Sequence, residues 1–215
     1  MPLIGDHAPE FHAMTTQGKI DFPADYKGSW VVLFSHPADF TPVCTTEFIA
    51  LSRMNETFES LNTKLIGLSI DSLHSHLGWI KSIEALNFNN EGKVKIPFPI
   101  IADISMNVAR KYGMLQTVAN TQTVRAVFII DPEGIIRTIL YYPMSTGRNI
   151  PEIIRILQSL QLNDKTHYST PANWQPGDDV VMGAPLTIEE AQERLESSDN
   201  TIKPLDWYLT MKKMK

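Results

Sequence analysis

Two hydrophobic rhythms alternate along this chain: short unbroken apolar runs, and apolar residues that recur at steps of three and four. Residues 30–34, Trp-Val-Val-Leu-Phe, make a run long enough for a buried strand and too short for a helix. Beyond it Phe48, Leu51, Met54, Phe58 and Leu61 fall on one helical stripe, so Met54 reads as core and not as a ligand. Residues 64–70 predict a second strand, and Leu73, Leu77, Ile80, Ile83 and Leu86 a second stripe. A polar loop is expected over 87–95, a short strand over 97–101, a short helix over 107–112 stopped at Gly113, and a polar rim loop over 114–123. Residues 126–130 and 135–141 flank Asp131-Pro132-Glu133-Gly134, whose proline second and glycine fourth suit a type I turn, so a hairpin is expected. Asn149 and Glu152 have capping-box spacing ahead of a stripe of Ile150, Ile153, Ile154, Leu157 and Leu160. At the start, Gly18 separates 11–16 from 19–22, as in a small hairpin.

Near residue 165 the pattern changes. Pro171, Pro176, Gly177, Pro185 and Pro204 interrupt regular structure, apart from a short helix expected at 187–195. Trp174 and Trp207 lie in this tail, which cannot bury two indoles alone; packing on another subunit or on its own domain is expected. The domains are therefore read as 1–165 and 166–215. At 24.3 kDa and 43% hydrophobic residues, the chain can hold one sizeable core plus an appendage.

Lys+Arg of 19 against Asp+Glu of 24 leaves −5 with neither sign clustered, which argues against nucleic acid binding through a basic patch. No apolar run approaches the ~20 residues of a membrane span, and no basic-then-apolar leader opens the sequence. The cytoplasm is the expected location, with no membrane partner. His74 and His76 stand two apart on a predicted helix and do not share a face. None of the six histidines is read as paired with a cysteine or carboxylate at ligand spacing, so neither a metal nor a cofactor is expected.

Cys44 is the one cysteine in 215 residues, so no intramolecular disulfide staples the fold. It follows Thr41, with N-cap chemistry, and Pro42, which suits the first helical position, so it falls in the first turn. Free backbone N–H groups and the helix dipole there favour a thiolate. Magnitudes limit that effect. A dipole contribution of roughly 0.3–1 kcal/mol moves a thiol from ~8.5 by less than about one unit, so a reactive thiolate needs a cation from elsewhere in the fold. Locally two readings stay open: a nucleophile, or a small buried hydrophobe.

Pro37-x-x-x-Thr41-x-x-Cys44 resembles the P-x-x-x-T-x-x-C signature of peroxiredoxins, and residues 34–47, FSHPADFTPVCTTE, most resemble the one-cysteine type and its archaeal relatives. Residues 4–11, 142–149, 171–174 and 206–209 match further segments of that family in order along nearly the whole chain. The resemblance implies an α/β thioredoxin-like fold with a mixed central sheet and a C-terminal arm that embraces a partner. The order of expected elements agrees with that fold: strand–helix units give parallel pairing and the closing hairpin antiparallel pairing.

It also implies a thiol-dependent peroxidase. Cys44 would attack hydrogen peroxide or an organic hydroperoxide and become a sulfenic acid. Arg125 matches the active-site arginine that would supply the missing cation and bind the peroxide. Thr41 has two competing readings, helix cap or hydroxyl facing the peroxide. Pro37 stiffens and shields the loop, and His36, Glu47 and Arg148 are supporting hydrogen-bond groups. No resolving cysteine is present, so an external thiol or thiol protein must act as reductant. A homodimer is implied, with assembly into a decameric or larger ring. Residues 27–31, KGSWV, lack the flanking glycines of a lipase-like G-x-S-x-G, so phospholipase activity is not supported. The alternative from another class is a peroxide sensor or holdase chaperone switched by oxidation of Cys44. A thiol–disulfide oxidoreductase is disfavoured because Cys44 has no C-x-x-C partner.

Overall fold

A computed structural model describes residues 1–117 and 120–214. The chain divides into two compact units, Met1–Ile150 and Pro151–Lys215.

The first unit opens with the hairpin β1 (Phe11–Thr15) and β2 (Gly18–Phe22), turning at Gly18, whose φ of +109° is open to glycine. The apolar run becomes β3 (Trp30–Ser35), buried along its whole length. Helix α1 (Pro42–Arg53) follows, then α2 (Asn55–Ser60), β4 (Thr63–Ser69), α3 (Leu73–Ala85), β5 (Ile100–Ala102) and α4 (Asn107–Lys111). Strands β6 (Leu115–Thr117) and β7 (Asn120–Thr123) lead to the hairpin β8 (Arg125–Ile130) and β9 (Ile136–Tyr142). Its turn is closed by Gly134 N–H donating to Asp131 C=O at 2.9 Å.

Seven strands form one sheet in the order β2-β1-β5-β4-β3-β8-β9. β3 pairs in parallel with β4 and antiparallel with β8, so the sheet is mixed, as the thioredoxin-like expectation requires. This central position gives β3 two covered faces and two paired edges, which explains an unbroken apolar run where an exposed-face strand would alternate. The core joins Val31, Leu33, Ile66, Leu68, Ile101, Tyr112, Phe128 and Ile130.

Three local expectations are corrected. The stripe from Phe48 to Leu61 is not one helix: at Met54 φ/ψ of −93°/3° closes α1, and α2 starts afresh. The periodicity survives because both pieces face one core, but the break leaves Met54 only half-buried. Pro97 and Pro99 lack the N–H a ladder needs, so the expected strand over 97–101 is delayed to β5. The polar rim loop pairs as the ribbon β6–β7, with residues 118–119 of that expectation outside the described residues.

Helix α5 (Ile150–Thr166), all but its first residue in the second unit, carries the expected stripe, and Arg155 clasps Glu152 one turn away. The proline-rich tail is more regular than its composition predicts. It forms β10 (Val180–Val181), α6 (Ile188–Leu195), β11 (Ile202–Pro204) and β12 (Thr210–Lys212), with β12 central in a three-stranded antiparallel sheet. Thr187 caps α6 through Glu190 N–H. Of the two alternatives for the tail's indoles, Trp174 takes burial within its own chain, its indole N–H donating to Asp178 C=O at 3.2 Å. Trp207 and Tyr208 remain about half exposed.

Candidate active site

Strand β3 delivers the chain into a loop, His36 to Thr41, that launches α1 and buries His36, Pro37 and Asp39 while Phe40 stays exposed. Phe40 turns it with a left-handed φ of +53°, a strained value for an aromatic residue and of the kind that gathers at functional sites. The turn brings Thr41 back over Ala38, whose carbonyl accepts the Thr41 hydroxyl at 2.8 Å. No side-chain cap forms, so of the two readings of Thr41 the helix cap is excluded. Pro37 is buried beside it. Pro42 occupies the first turn of α1, and Cys44 lies fully buried within that turn.

Across the sheet, Arg125 at the head of β8 reaches the sulfur. Its Nη1 donates to Cys44 Sγ at 3.3 Å and to Glu47 Oε2 at 2.8 Å, while Nε and Nη2 both donate to Met144 C=O at 3.1 and 2.9 Å. One Nη2 hydrogen is left without a partner among the described residues. Glu47, one turn after Cys44, is bracketed from the other side by Arg148: Nε meets Oε1 at 3.0 Å, Nη2 meets Oε2 at 2.6 Å, and the Arg148 backbone N–H meets Oε1 at 2.8 Å. Arg148 also lies over the Phe34 ring, 5.1 Å from its centroid. Both guanidiniums and the carboxylate are at most 3% exposed at their side chains. Two buried cations thus share a single carboxylate among the described ion pairs, leaving one positive charge beside the sulfur. Buried charge of that kind is costly unless compensated.

The resemblance groups His36, Glu47 and Arg148 as supporting residues, but the fold separates them. Glu47 and Arg148 belong to the network around the sulfur. His36 instead turns Nε2 to Asp39 Oδ1 at 2.9 Å, and His76 of α3 places Nδ1 2.8 Å from Asp39 Oδ2. The expectation that no histidine pairs with a carboxylate is therefore overturned: ligand-type atoms of His36, Asp39 and His76 lie within 4.8 Å of one another. The observed separations are hydrogen-bond lengths. His36 and Asp39 stand three apart in a loop rather than a helix, and His76 arrives from another element, so helical-face arguments could not see the cluster. Burial, which disfavours imidazolium, lowers His36 below its ordinary value despite Asp39. Burial alone would raise Asp39, but hydrogen bonds and charge from His36 and His76 outweigh it and hold the carboxyl below the usual range.

The matches to known proteins fall on these elements. Residues 4–139 match the model of the AhpC/TSA family, and 159–198 that of the C-terminal domain of 1-Cys peroxiredoxin. The chain belongs to the peroxiredoxin family. A peroxiredoxin of Methanosarcina mazei is 58% identical over 215 residues, spanning 99% of this chain and 98% of the relative. One from Aquifex aeolicus is 47% identical over 225 residues, spanning 100% and 98%. A solved yeast mitochondrial 1-Cys peroxiredoxin superposes over 100% of both chains with a TM-score of 0.86 at 41% identity. A cysteine-to-serine mutant of peroxiredoxin 6 from Arenicola marina does so with 0.84 at 34%. The activity is that of a thiol-dependent peroxidase, and the single buried cysteine is consistent with the 1-Cys type. Among the described residues no helix is long and apolar enough to cross a membrane.

Proposed function

We propose that Cys44 is the peroxidatic nucleophile and that Arg125 binds both sulfur and substrate. The carrying observation is the charge count: Arg125 and Arg148 against Glu47 alone, with Sγ 3.3 Å from the unspent cation. The thiolate attacks one peroxide oxygen, the O–O bond breaks, and the electron pair leaves as hydroxide or alkoxide, which takes a proton to become water or an alcohol. Cys44 becomes a sulfenic acid. The remaining Nη2 hydrogen of Arg125 stabilises the charge developing on the leaving oxygen, while the Thr41 oxygen, whose own hydrogen goes to Ala38 C=O, accepts the O–H of the bound hydroperoxide and orients it. Pro37 keeps water from the sulfur, while Glu47 and Arg148 hold Arg125 in place.

Reduction falls to an external thiol, since the chain has no second cysteine. That thiol condenses with the sulfenic acid to a mixed disulfide and water, and a second thiol releases Cys44. The yeast 1-Cys relative is resolved through the glutathione and thioredoxin systems, which supports small thiols and thioredoxin-type proteins as candidates. Because Cys44 is fully buried, the first turn of α1 opens to admit the reductant. Hydrogen peroxide and organic hydroperoxides are the proposed substrates.

Residues 166–215 are proposed as an arm that packs on a second copy in a homodimer, supported by exposed Leu205, Trp207 and Tyr208; a decameric or larger ring extends this. The cytoplasm is the proposed location. Intact mass after one equivalent of peroxide with a sulfenic-acid trap tests the core of the reading. A single added oxygen on Cys44, lost in Cys44→Ser along with peroxide turnover, supports it; unmodified Cys44 with continued turnover overturns it.

A further inference from the structure

We infer that Ser35 is the positioning residue that sets both arginines, by letting its hydroxyl take the ladder position of its own carbonyl. This rests on the reading that Arg125 acts on Cys44. The β3–β8 register runs from Val31↔Ile130 to Phe34↔Val127, and the next pair would be Ser35 opposite Ala126. There the ladder changes hands. Ala126 N–H donates to Ser35 Oγ at 3.2 Å, and Oγ donates to Val124 C=O at 2.6 Å. The hydroxyl therefore grips the backbone on both sides of Arg125.

The Ser35 carbonyl, released from the ladder, accepts Arg148 Nη1 at 2.9 Å; the same nitrogen reaches Ala126 C=O at 3.2 Å. Arg148 holds Glu47, which in turn holds Arg125. Through its side chain Ser35 fixes where Arg125 leaves the strand, and through its carbonyl it fixes the other end of the same charge network. It is fully buried and touches neither sulfur nor the proposed substrate position directly, so it acts through the arginines. One residue further on, Thr123 Oγ1 donates to His36 C=O, so the strand exit is bridged by a second hydroxyl. Only a residue that both donates and accepts through a short side chain can hold Val124 C=O and Ala126 N–H together. Alanine leaves both unpaired in a buried site.

The test is Ser35→Ala in the full chain, read by the second-order rate of peroxide reduction and its pH profile. We expect the rate at neutral pH to fall by about tenfold, as small misplacements of a positioned group do, and the acid limb of the profile to move to higher pH. A merely structural role would lower melting temperature and leave the profile in place. Where alanine is too unstable to assay, the isosteric pair Ser35→Thr and Ser35→Val decides: threonine keeps the hydroxyl and the wild-type profile, valine does not. Equal rates and unmoved profiles for threonine and valine, or for alanine and wild type, overturn the role. If the wild type itself reduces peroxide independently of Cys44, the reading of Cys44 fails first, and that result is told apart by Cys44→Ser.

Discussion

Arg125 Nη1 donates at once to Cys44 Sγ at 3.3 Å and to Glu47 Oε2 at 2.8 Å, so one nitrogen joins the sulfur to the carboxylate that both buried arginines share. The planar fork matters as much as the charge. Nε and one Nη2 hydrogen are spent on Met144 C=O, which fixes the plane in which the second Nη2 hydrogen points.

Arg125→Lys should therefore keep a cation and lose the geometry. Peroxide reduction is expected to slow by about a hundredfold, the scale for loss of one preorganised donor. Unfolding in urea should move far less than that. Stopped-flow rates and urea midpoints on the same preparation check this, and equal rates in both proteins would remove Arg125 from the mechanism.

Glu47→Gln leaves two buried guanidiniums without their shared counter-charge. A loss of about 3–5 kcal/mol in folding stability is expected, as for breaking a buried ion pair from one side. Peroxide reduction should fall as well, because Nη1 and Arg148 lose the oxygen that aligns them. A chemical denaturation curve within about 1 kcal/mol of wild type would show that the network is not held by Glu47.

The Thr41 hydroxyl donates to Ala38 C=O and caps nothing, so Thr41→Val should cost only about 1 kcal/mol, one hydrogen bond. Its cost in peroxide reduction should be larger, at least tenfold by about 1.4 kcal/mol per decade, with Thr41→Ser close to wild type. Rates that track stability alone across the three proteins would reduce Thr41 to a loop anchor.

The His36–Asp39–His76 cluster predicts acid lability. Folding holds His36 below its ordinary value, so the unfolded chain binds the proton more readily and stability falls once pH drops below about 6.5. Asp39 is also held low in the folded state. Its contribution is present above the ordinary carboxylate value and is lost on further acidification, in the same direction. Urea unfolding at pH 7.5, 6 and 5 should show a decline from the His36 step, of at most about 1.4 kcal/mol per pH unit. His36→Asn should flatten that step. A wild-type curve level from 7.5 to 5 would mean the buried histidine does not titrate with folding.

Much of the architecture was legible in residue order alone. The run at 30–34, the hairpin turn at Asp131–Gly134 and the Pro37–Thr41–Cys44 spacing each depend on near neighbours, and local sterics and periodicity act over such distances. The break at Met54 was not legible, because the apolar rhythm is the same whether one helix or two cover a core. Nor was the regular structure of the tail, whose strands owe their order to pairing between segments about thirty residues apart.

The site divides the same way. Sequence by itself determined that a lone cysteine sits in a helix's first turn and needs a cation from elsewhere. Only the tertiary structure decided which groups meet it: Glu47 between Arg125 and Arg148, Ser35 spanning the strand exit, and Asp39 between His36 and His76. These partners lie up to about a hundred residues apart, and their meeting follows from sheet register, which no local pattern encodes.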